Sequence, residues 1–176
     1  MDALFHGHDG KSDSSVNFRD RTTRQLARLR RSRVSLIPIC GIGFGHTDFQ
    51  ELLPLARLAK DIGVRATLDH PLLELNKLLL DEMKQLRDLG VYVGTYCQPM
   101  IPSLYQPVAD PMETIRTIKE IGPDRCIIGS DFGQVLHMDA IDGMRVFLRA
   151  LLAFGIKPDE VKIMLKDNPA KLMWLD

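Results

Sequence analysis

Arg125-Cys126-Ile127-Ile128-Gly129-Ser130-Asp131-Phe132-Gly133-Gln134 is the stretch on which the fold turns. Cys126 to Ile128 is a continuous apolar run, and Gly129, Ser130 and Asp131 end it at once. Such a run suits a strand of a parallel sheet covered on both faces. Asp131 then falls at the carboxyl end of that strand, where ligands bind in parallel α/β folds.

The same unit recurs outward from this point. Upstream, a helix starts at Asp110, with Pro111 at its first position, Glu113 at its third and a buried stripe of Met112, Ile115, Ile118 and Ile121. The proline-rich loop Gln98 to Pro107 precedes it, and strand Val91 to Tyr96 comes before that. Further back lie a helix from about Leu75 to Leu89 closed by Gly90, the loop around His70 and strand Val64 to Leu68. A helix from Asp48 to Ile62 has apolar positions at helical period and a capping box of Asp48 with Glu51. Pro54 should lie in its first turn or kink it. A glycine-rich loop, Gly41 to Thr47, and a strand, Val34 to Ile39, complete the upstream part. Downstream come helices over Ala140 to Phe154 and Pro158 to Lys166, then a short one opened by Asn168 and Pro169.

Strands spaced by about 30 residues, with a helix between each pair, define βα units of a parallel sheet. Four units are present, whereas a complete eightfold barrel needs about 250 residues. The expected fold is therefore α/β, a parallel βα repeat forming half of a TIM-type barrel over residues 34–176. Its strands should end together after Ile39, Leu68, Tyr96 and Gly129. Residues 1–33 read as a separate polar tail followed by an arginine-rich helix.

Composition narrows the function classes. Lysines and arginines number 23 and acidic residues 23, so no global field recruits nucleic acid or an acidic membrane. The seven arginines from Arg19 to Arg33 fit a solvated helix face better than a nucleic-acid patch. No apolar run reaches the roughly 20 residues of a membrane span. The N-terminus lacks the apolar stretch of a secretory signal. With three cysteines at no metal-like spacing, Cys40, Cys97 and Cys126, the expectation is reduced thiols in a cytoplasmic protein.

The rule for strand ends picks out the candidate chemistry. His46 follows the first strand, His70 the second, and Asp131 and His137 the fourth. Imidazole nitrogen with carboxylate oxygen suits zinc first, with manganese or iron as alternatives. Singly, each has a plainer reading: a loop histidine is commonly a surface or capping group, and Asp131 could cap a turn. Tyr96, Gln98, Tyr105 and Gln134 lie in loops that could touch a substrate, as could His137, and loop packing explains them equally well. His6 and His8 have the residue types of a metal pair, yet His8-Asp9-Gly10 also reads as a tight turn.

Gly45-His46, Asp69-His70-Pro71, the stretch from Gly129 to Gln134, and Asp167-Asn168-Pro169-Ala170-Lys171-Leu172 together resemble the second half of amidohydrolase-superfamily proteins. The likeness spans residues 34 to 175. It implies His46 and His70 as metal ligands after strands five and six of a full barrel. It also implies Asp131 as the strand-eight aspartate, which helps activate water. The superfamily's first-strand His-x-His pair and its strand-four lysine or glutamate have no convincing counterpart here. The expected activity is hydrolysis of a C–N, C–O or P–O bond in a small molecule by metal-activated water. A metal-dependent decarboxylase and a non-catalytic, degenerate half-barrel are the alternatives. As half a barrel, the chain is expected to be a poor catalyst alone and to associate with a second copy or a missing N-terminal half.

Overall fold

The computed structural model describes residues 42–45, 47–73, 77–100, 110–133 and 137–175, all within the compact unit Leu36–Asp176. The expected tail and helix over 1–33, the strand Val34 to Ile39, and the residues His6, His8, Cys40, His46, Tyr105 and Gln134 lie outside the described residues.

The chain runs β1 (Ile42–Phe44), α1 (Phe49–Ile62), β2 (Ala66–Leu68), α2 (Leu80–Asp88), β3 (Tyr92–Tyr96), α3 (Pro111–Ile121), β4 (Cys126–Gly129), α4 (Ala140–Ala153), α5 (Pro158–Lys162) and α6 (Asn168–Leu172). The strands form one sheet in the order β1-β2-β3-β4, and each pairs in parallel with the next. The expected parallel βα repeat is thus what the chain forms.

Several boundaries differ from expectation. Ile42–Phe44, expected inside a glycine-rich loop, is a strand with Phe44 opposite Leu68. The glycine at its centre is a packing requirement: a Cβ on Gly43 would run into the carboxylate of Asp69. Helix α2 starts at Leu80 and not near Leu75. Leu78 is buried and donates its N–H to the carbonyl of Pro71, which holds residues 77–79 extended until Glu82 accepts from the Leu79 N–H at 2.8 Å. Helix α1 continues past Pro54, which lies beyond its first turn and is exposed, so water can satisfy the carbonyl it leaves unbonded. Met112 is 46% exposed and outside the buried stripe, which consists of Ile115, Ile118 and Ile121. The segment expected as one helix over Pro158 to Lys166 passes after Lys162 into a π-type turn, Ile163–Asp167.

Strand pairing sorts the sheet into two faces. Phe44, Leu68, Val93 and Cys126 form one continuous row, with Ala66, Thr95 and Ile128 beside it, and all are buried. The apolar members of that face share a core with Leu52 and Ala56 of α1, Met83 and Leu86 of α2, and Ile115 and Ile118 of α3. Helix α1 packs on α2 and α2 on α3, so these helices line one side of the sheet. The opposite face carries three glycines, Gly43, Gly94 and Gly129, with Thr67, Tyr92, Tyr96 and Ile127. Gly43 is exposed there, and Thr67, Tyr96, Ile127 and Gly129 are half-buried.

The C-terminal Asn-Pro-Ala-Lys-Leu segment anchors to the amino end of β4. Asn168 is fully buried, and its side-chain amide donates to the carbonyls of Pro123 (2.8 Å) and Cys126 (2.7 Å). Beyond it Trp174 lies under the guanidinium of Arg65, 3.6 Å from the ring centre. Among the described residues no helix is long and apolar enough to cross a membrane. Cys97 and Cys126 are buried free thiols. Burial pushes them up to about 11 and about 12 respectively, which leaves them protonated at neutral pH.

Candidate functional site

The parallel ladder continues past the strands and sets where the site begins. The Asp69 N–H donates to the Phe44 carbonyl at 2.8 Å, so β2 is held against β1 up to the residue before His70. On the other side, the N–H groups of Cys97 and Gln98 donate to the carbonyls of Gly129 and Ser130, which carries the β3–β4 pairing up to Asp131. His70 and Asp131 are thus the first residues to leave the sheet on β2 and β4.

Both leave it in the left-handed backbone region, His70 with φ 43° and Asp131 with φ 57°. Among the described residues only Trp174 shares that conformation without being glycine. The left-handed conformation is disfavoured for residues with a Cβ and is held in place by surrounding structure, commonly at functional sites. Strands β2 and β4 are separated by β3, a span of roughly 10 Å at ordinary strand spacing. The two side chains nonetheless meet above β3: His70 Nε2 lies 3.5 Å from Asp131 Oδ2.

Tyr96, the last residue of β3, fills the ground between them. Its ring occupies the space over Gly94 and Gly129, where added Cβ atoms would come within 2.6 and 2.7 Å of it. The ring is tilted against His70 with centres 5.1 Å apart, and its hydroxyl donates to Asp69 Oδ1 at 2.6 Å. Burial, with the Asp69 carboxylate adding to it, raises the phenol far above its ordinary range, so Tyr96 stays a neutral donor. The Asp131 carboxylate raises His70 above the usual histidine value, burial opposes this, and Asp69 adds to the rise.

The remaining candidates occupy the rim. Gln98 is 5% exposed and packed at the start of a short 3-10 turn directly after β3. His137 is half-buried and meets Phe132 edge-on at 5.3 Å. Phe132 in turn packs against Gly143 of α4 so closely that a Cβ there would overlap its ring. Gly45 approaches His70, whose Cε1 is 3.6 Å from where a Gly45 Cβ would stand, and the next residue in the chain is His46. Asp69 was given no role by sequence reasoning. Its signal was position alone, as the first polar residue after β2.

His70 and Asp131 have the separation that two donors of a tetrahedral zinc require, since bonds of about 2.0–2.1 Å set donors roughly 3.3–3.5 Å apart. Among the described residues no group of three His, Cys, Asp or Glu side chains is close enough to hold a metal. A cavity of about 560 Å³ lies at the other end of the sheet, bordered by Lys60, Arg87 and Arg125. It shares no residue with the His70–Asp131 pair, and that pair, with its converging ligand chemistry, is the stronger site.

Comparison with family models, with curated proteins and with solved structures found no match for this chain.

Proposed function

We propose that the chain is the second half of a TIM-type barrel of the amidohydrolase kind. Its strand ends would bind one divalent metal, zinc in the first instance, and hydrolyse a C–N, C–O or P–O bond of a small molecule. The observation that carries this reading is the meeting of His70 and Asp131 from non-adjacent strands at metal-donor separation, both in left-handed backbone. The sequential strand order supports the barrel, because a doubly wound sheet reverses its order whereas a singly wound one adds each strand beside the last. Helices on one side and a glycine-rich opposite face fit a sheet that curls with that face inward.

In this site His70 and Asp131 would hold the metal, with His46 as the third donor by its place after Gly45. The chemistry a divalent metal supplies is Lewis acidity and the acidification of water near neutral pH. Asp131, beside that position, would accept the proton of the attacking water. Tyr96, whose hydroxyl proton is taken by Asp69, would offer its oxygen to a donor group of the substrate, and Gln98, Gln134 and His137 are the further substrate-binding candidates.

The test is zinc, manganese and iron content after purification without chelators, with calorimetric titration of zinc into wild type, His70→Ala and Asp131→Asn. One equivalent in wild type, weakened at least about tenfold in each variant, is expected. Unchanged binding in both variants, or none in wild type, would remove the metal assignment and leave a non-catalytic half-barrel.

A further inference from the structure

The carboxyl end of the sheet is poor in cations, and its charges say what kind of substrate it receives. The connections that follow the four strands, residues 45–48, 69–79, 97–110 and 130–139, contain no arginine and one lysine, Lys77. That lysine is held by Glu113 at 2.9 Å. The same connections carry Asp48, Asp69, Glu74, Asp110, Asp131 and Asp139.

Helix amino termini, the usual alternative for gripping an anion, are already taken at this end. Asp48 accepts from the Glu51 N–H at 3.0 Å in α1, and Glu82 accepts from the Leu79 N–H at 2.8 Å in α2. Asp110 accepts from Met112 and Asp139 from Ile141, each at 2.9 Å, in α3 and α4. The arginines and the exposed lysine around the 560 Å³ cavity stand at the opposite end.

Among the described residues, Asp69 is the carboxylate that remains. One oxygen accepts from Tyr96, and the other, Oδ2, faces Gly43, an exposed glycine whose missing side chain leaves that oxygen room. The Tyr96 hydroxyl fixes this carboxylate next to the tilted Tyr96–His70 ring pair. Gln98 adds a second, independent demand for a donor. Its side-chain carbonyl oxygen is buried and, among the described residues, accepts no hydrogen bond, in a residue whose N–H is bonded to Ser130 next to Asp131.

We propose that the site selects a substrate with a permanently positive group, an alkylammonium or alkylguanidinium, received by Asp69 and flanked by Tyr96. This rests on the reading of the strand ends as the active site. With a metal held by His70 and Asp131, Asp69 is, among the described residues, the carboxylate left to meet the substrate. A phosphomonoester or carboxylate substrate finds no arginine at this end, and its one lysine, Lys77, is paired with Glu113.

The experiment separates the two readings. The full-length chain, metal-free and again with one equivalent of zinc, is titrated with n-butylguanidinium, its neutral isostere N-butylurea, and n-pentanoate, and followed by amide NMR shifts. The guanidinium should bind roughly tenfold more tightly than the other two in both forms, shifting residues 43, 69 and 96. Asp69→Asn should abolish the preference. If that variant does not fold, raising salt from about 20 mM to about 500 mM should shrink the preference in wild type. Equal affinities, a preference for pentanoate or urea, absence of saturable guanidinium binding, or a preference that Asp69→Asn or salt leaves intact would overturn the proposal. A retained guanidinium preference in a chain that binds no zinc would instead remove the metal reading and leave the cation site standing.

Discussion

At the scale of single residues, His70 responds to both charge and burial. The Asp131 carboxylate raises its pKa, burial lowers it, and Asp69 adds to the rise. The folded-state value lies above the unfolded one, near 6.5. The pair therefore contributes stability that is complete below the unfolded value and is lost as pH rises through the raised one. In metal-free protein the ring carbons of His70 should titrate above the ordinary range, and Asp131→Asn should bring the midpoint down. An unshifted midpoint in that variant would mean the carboxylate does not act on the imidazole. Because a ligand imidazole must be neutral, zinc affinity should also fall as pH drops below the raised value. The residue types of this pair were legible before the fold was known. Their conformation was not: nothing local to Asp-His-Pro or Ser-Asp-Phe-Gly demands left-handed backbone, which neighbouring strands and packing impose.

At the scale of elements, the loop bearing Asp131 is tied to α4 through one glycine. Phe132 sits over Gly143, and the Cys97 thiol donates to the Gly143 carbonyl at 3.3 Å. Glycine inside a helix normally costs about 1 kcal/mol relative to alanine, so Gly143→Ala should stabilise an isolated helix. Here the added methyl overlaps an aromatic ring, and overpacking of this kind costs about 1–3 kcal/mol. The variant should melt lower than wild type and shift the resonances of Phe132 and His137. A higher melting temperature with those resonances unmoved would show that the loop does not depend on this contact. Helix caps behaved differently. Asp48, Asp110 and Pro111 marked helix starts correctly, because a cap is a contact between residues two or three apart and needs no tertiary partner. The start of α2 was misplaced for the converse reason, since the Pro71 carbonyl and the burial of Leu78 decide it.

At the scale of the molecule, the last segment locks onto the sheet through Asn168. Its amide satisfies two carbonyls where β4 begins, in a fully buried position. Asn168→Ala orphans both and should cost about 2–3 kcal/mol, a fall in Tm of roughly 5–10 °C. Lys171→Ala, on the exposed side of the same helix, should change stability by less than about 0.5 kcal/mol. Equal melting of both variants would show that α6 is not docked through Asn168.

Apolar runs of three to five residues, about 30 apart and separated by helical periods, determined a parallel βα sheet, because parallel neighbours need a helical crossover and that spacing leaves room for one. The same pattern put His70, Tyr96 and Asp131 at one end, since every strand of such a sheet points the same way. Only the tertiary structure decided that β1 is Ile42–Phe44, because a three-residue strand containing glycine has little propensity of its own and forms by pairing with β2. It alone brought Asp69 to Tyr96 across two strands and set His70 against Asp131 across β3. Those distances depend on side chains reaching over a sheet, and residues 27 and 61 positions apart carry no local trace of whether they touch.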